Sequence, residues 1–125
     1  MPFDGANFEH GVAQLFEAML EFLGPDGERW TCGTLLDKDG NRCLIGAMRH
    51  CRAKLRMNGG DKAAYCLRKA IRHHLNGEAS DIMDFNDILA DSFEDVRAVL
   101  VRARDSAFGK ESPRYPREQL KLSIA

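Results

Sequence analysis

Between Phe8 and Leu23 the apolar residues Phe8, Val12, Leu15, Phe16, Met19, Phe22 and Leu23 fall at offsets 0, 4, 7, 8, 11, 14 and 15. That spacing draws one wide apolar face on an α-helix, and nothing else in the chain constrains its fold as strongly. Asn7 is placed to cap this helix at its start, after a leader over residues 1–6. Gly24-Pro25-Asp26-Gly27 ends it. An amphipathic helix of this length must bury its face against other elements, so the question becomes what the remaining chain supplies.

It supplies mostly more helices. Leu44, Met48, Cys51 and Leu55 form a second stripe at helical spacing, stopped by Asn58-Gly59-Gly60. Asp61 is positioned to cap a third helix bearing Ala64, Leu67, Ile71 and Leu75 and ending at Asn76-Gly77. Residues 80–91 read as a shorter element with Ile82, Phe85, Ile88 and Leu89 as its apolar positions. Ser92 followed by Asp95 resembles a capping box ahead of a last helix carrying Val96, Val99, Leu100, Ala103 and Ala107.

Arg29–Leu36 contains threonines and a glycine and precedes the turn-forming run Asp37-Lys38-Asp39-Gly40-Asn41. It reads as a short β-hairpin or structured loop, with Trp30 as a core anchor. The expected fold is mainly α: a compact bundle of four to five helices in one domain over residues 1–109. Residues 110–125, with Pro113 and Pro116, read as an extended tail.

The 125 residues are 44% hydrophobic and 30% charged, which suits a globular domain rather than a disordered chain. The first residues carry neither the basic nor the apolar region of a signal peptide, and no apolar stretch approaches a membrane span. The expectation is a cytoplasmic protein with no membrane partner. Cys32, Cys43, Cys51 and Cys66 form no Cys-x-x-Cys pair, and His10, His50, His73 and His74 add no metal-ligand spacing. They read as reduced thiols and ordinary histidines, and no metal or cofactor is expected.

Charge is segregated. Residues 1–41 sum to −6, residues 42–76 to +8 and residues 77–105 to −5, inside a chain whose total is −1. On the second helix Arg49, Arg52 and Arg56 share a flank with Arg42. On the third, Tyr65, Arg68, Lys69 and Arg72 stand at offsets 0, 3, 4 and 7. Arginines beside a tyrosine can grip phosphate and stack a base. The same residues can equally pair with the acidic neighbours, a common arrangement of little energetic consequence. The functional expectation is a non-catalytic interaction module whose basic face takes an acidic protein or an anionic partner, nucleic acid among the candidates.

The alternative is a small cysteine-dependent enzyme. Cys43 begins the second helix, where free N–H groups favour a thiolate, and His50 and Asp87 are residues of the right type for base and orienter. No Walker loop, dinucleotide fingerprint, His-Glu-x-x-His or serine elbow is present.

Trp30, Cys43-Leu44-Ile45-Gly46-Ala47 and Phe85-Asn86-Asp87 together resemble the motifs of a family of small bacterial proteins known only as a domain of unknown function. That family shows a Trp, a Cys-Leu-x-Gly-Ala helix start and a Trp-Asn-Asp before the final helix; Phe85 stands here in place of the second Trp. The resemblance spans roughly residues 10–105 and implies no activity. Physically, Gly46-Ala47 permits close approach of another backbone, and Asn86-Asp87 suit turn or cap bonds.

Overall fold

The computed structural model describes residues 4–57 and 60–108, with side chains from residue 11 onward. Among them lie five α-helices: α1 (Asp4–Leu23), α2 (Leu44–Leu55), α3 (Gly60–His74), α4 (Ile82–Asp84) and α5 (Phe93–Ala107). A π-helical turn, Phe85–Leu89, extends α4. The 110–125 tail lies outside the described residues.

Helix α1 is the spine. It packs most extensively on α5 and next on α2, while α3 lies mainly against α5. Val12, Leu15, Phe16, Met19 and Leu23 are buried with Leu44, Met48, Leu67, Ile71, Phe85, Val96, Val99 and Leu100 in one core. The period-3.6 stripes therefore meet as expected. Helix α1 begins before Asn7, which lies inside it rather than at its cap. Asp61 likewise sits in the first turn of α3.

The capping box forms in altered shape. The Ser92 hydroxyl accepts from Glu94 N at 3.2 Å, and the Asp95 carboxylate accepts backbone bonds from Asp91 N, 2.8 Å from Oδ2, and from Ser92. Burial alone would push the Asp95 carboxyl up. The Asp91 N–H and the His74 ring, 3.0 Å away, outweigh it and hold the group below its usual range.

The β-hairpin is not borne out. No strand forms among the described residues: the segment between α1 and α2 makes only isolated bridges, Trp30 with Arg42 and Leu36 with Arg42. The expected turn is present, with Asp37 Oδ1 accepting from Asp39 N and Asn41 N, both at 2.9 Å. These bonds lower the carboxyl's pKa, the backbone bond from Asn41 first. A hairpin fails because the Thr31 carbonyl and Gly33 N–H bond the Asn86 and Asp87 side chains rather than a facing strand.

Of the apolar positions in the 80–91 element, Ile82 and Phe85 are buried, whereas Ile88 and Leu89 are 72% and 45% exposed. At Phe85 the hydrogen-bond step lengthens: Phe85 N bonds Asp81 O, four residues back, whereas Ala90 N bonds Phe85 O, five back. The widened turn presents Phe85 and Asn86 inward together, and Ile88 rotates out. Leu55, at the last position of α2, is also exposed.

Candidate functional site

Two polar loci stand out, and they are built in opposite ways. The first is centred on Asn86, the buried polar residue of the described chain, at 1% exposure. Its Oδ1 accepts from the Trp30 indole Nε1 at 2.7 Å and from Leu44 N at 3.1 Å. Its Nδ2 donates to Thr31 O at 3.2 Å and to Asp87 Oδ1 at 2.7 Å. The Cys32 thiol donates to the Asn86 carbonyl at 3.4 Å, and Gly33 N donates to Asp87 Oδ1 at 3.0 Å.

One amide thus ties the 30–33 segment, the first turn of α2 and the π-turn together, with its donors and acceptors all matched. Leu44 N is one of the free N–H groups at the start of α2, so Asn86 caps that helix from more than forty residues away. Gly46 completes the joint, since a Cβ there would collide with the Leu35 carbonyl oxygen. The close-approach reading of Gly46 holds, whereas Asn86 turns out to be a long-range clamp rather than a local turn residue.

Cys43 belongs to this locus as a structural group. It is the N-cap of α2, 2% exposed, and its sulfur accepts from Gly46 N at 3.5 Å. His50 lies two turns further on, its ring 4.8 Å from that of Phe22. Burial first, then Arg42 and Lys54, lower its pKa. Asp87 is engaged with Asn86 and Gly33. Cys43, His50 and Asp87 therefore each take separate partners. The solvent-facing thiol is Cys32, whose pKa is raised by burial, then by Asp87 and Cys43. Among the described residues no three His, Cys, Asp or Glu groups converge as a metal site.

The second locus is the basic face. Arg49, Arg52 and Arg56 line one open depression of about 440 Å³ with Ala53 and Met57. Among the described residues none of the three makes an ion pair, and Arg52 Nε is buried without a hydrogen-bond partner. Arg56 closes α2 in the left-handed conformation, φ 56°, its N–H bonding Ala53 O.

The α3 residues are disposed differently. Tyr65 is exposed, and the Lys69 ammonium lies 5.4 Å from its ring centroid. Arg68 is exposed, and Arg72 donates to Gly77 O at 3.1 Å, closing its own helix end. Helix α2 packs on α1 and α3 on α5, so the arginines of α2 form a group of their own. The exposed His74 pairs with Asp95 and meets Phe85 edge-on.

These joints lie in a stretch that matches the model of a family of unknown function (DUF6197) over residues 8–106, and the chain belongs to that family. No curated protein and no solved structure matches it. Among the described residues no helix is long and apolar enough to cross a membrane.

Proposed function

We propose that this protein is a non-catalytic interaction module whose basic face takes an acidic protein or another anionic partner. The observation that carries this reading is the Arg49, Arg52 and Arg56 group, three cations around one depression with no acid paired to them among the described residues. Cations near a helix C-terminus favour the helix by about 0.3–1 kcal/mol through its dipole, which accounts for Arg52 and Lys54 without a ligand. It does not account for Arg49, nor for leaving the Nε–H of Arg52 buried and unmet. Arg68, Lys69 and Tyr65 on α3 supply a second basic surface for a larger partner.

The test is salt. Retention on duplex DNA or on polyglutamate at low ionic strength should fall steeply as salt rises, with a log–log slope near 0.9 per phosphate contacted on duplex. Replacing Arg52 and Arg68 with Glu should abolish retention and leave the melting temperature nearly unchanged. If neither polyanion is retained at low salt, the basic face is a solvated surface and the reading fails.

A further inference from the structure

We infer that the depression on α2 is an oxyanion pocket for a phosphate group, with Arg49, Arg52 and Arg56 as its ligands. This rests on the proposed reading of the basic face and narrows it to one chemistry. Spacings of three and four residues bring the three side chains onto one side of the helix, around Ala53 and Met57. Each guanidinium presents fixed N–H forks, and either its Nε/Nη edge or its Nη/Nη edge can grip two oxygens of one anion. At Arg52 that Nε–H is shielded from solvent and has no acceptor among the described residues.

The charge selects among anions. A carboxylate carries a single charge and is matched by one guanidinium fork. Three arginines without a paired acid call for more negative charge and more acceptor oxygens in the same small volume. A phosphate near neutral pH, at −1.5 to −2 with three or four acceptor oxygens, meets that requirement.

A second observation comes from the backbone. Arg56 holds a left-handed φ of 56° at the helix C-cap. Glycine usually occupies such a position at the end of a helix, because a Cβ is strained there. An arginine at that position carries a conformational cost, offset in part by the bonds of Arg56 N to Ala53 O and of Met57 N to Arg52 O.

The experiment is a titration of the full chain with inorganic phosphate and, separately, phosphoserine, followed by NMR. Serine, acetate and chloride at matched ionic strength serve as controls. Both phosphate forms should shift resonances from Arg49 to Met57 and saturate well below the acetate concentration needed. Phosphoserine binding alone would assign the pocket to a phosphomonoester, and binding of both to the phosphate group itself.

R52K keeps the charge but loses the fork, and should weaken phosphate binding roughly tenfold. R56G suits the left-handed backbone, so it should weaken phosphate binding while the melting temperature holds or rises. Inorganic phosphate and phosphoserine both behaving like acetate, or both variants binding as the parent does, overturns the pocket. In that case, salt-sensitive retention on polyglutamate or DNA would leave the broader reading standing, and its loss would remove both.

Discussion

Asn86 is a buried polar side chain and Arg52 a half-buried one with a single atom, Nε, shut away from water, and they illustrate opposite uses of burial. Asn86 spends its amide on four partners from three separate parts of the chain. Arg52 leaves a buried Nε–H with no partner among the described residues. A satisfied buried amide stiffens a joint and specifies one geometry. An unsatisfied one costs free energy in the isolated protein and regains it when an acceptor arrives. Of the two loci, the Asn86 joint is the one whose side-chain groups are all matched, and the arginine group is the one we propose takes a ligand.

Phe16→Ala sets the upper end of the scale. Phe16 is fully buried in the α1 stripe, and its truncation should cost about 3–5 kcal/mol in chemical unfolding. A change under about 1 kcal/mol would mean that α1 presents a different face to the core. Asn86→Ala should follow at roughly 2–4 kcal/mol, because the Trp30 indole and Leu44 N–H lose their acceptor inside the protein. A loss no greater than that of an exposed asparagine would break the distinction between the two loci.

A smaller effect is expected with acid. The Asp95 carboxyl titrates below its unfolded value, so the stability it contributes is fully present above about pH 4 and fades as pH falls through the lowered folded value. Asp95→Asn should flatten the acid limb of a stability–pH curve. An unchanged limb would show that its bonds to Asp91 N and His74 contribute nothing to folding. The smallest effect belongs to Arg49→Gln: exposed and unpaired, it should shift stability by no more than about 0.5 kcal/mol. A loss comparable to that of Asn86→Ala would make the arginine group a structural element and erase the contrast.

Much of the architecture was legible from residue spacing. The stripes of α1, α3 and α5 are periodic over three or more turns, and periodicity reports directly which face is buried. The Arg49, Arg52 and Arg56 row was legible for the same reason, since side chains on one helix keep their order whatever the helix packs against. Between the two readings of the segment from α1 to α2, β-hairpin or structured loop, the sequence does not choose, because its turn chemistry at Asp37–Asn41 is real but local. Whether flanking residues become strands depends on which groups take their backbone bonds, and here Asn86 and Asp87 take them.

Apolar spacing carries no mark of which positions in the 80–91 element are buried, because a single lengthened hydrogen-bond step turns Ile88 and Leu89 outward. The sequence by itself determined the helices, their buried faces and the grouping of positive charge, all of which depend on neighbours within a few residues. Only the tertiary structure decided which polar groups are matched. Asn86 meets Trp30 and Leu44 across separations of 56 and 42 residues, and Arg52 meets no such partner among the described residues. A hydrogen bond is satisfied or left open by where distant segments come to rest, and that is settled only when the whole core has packed.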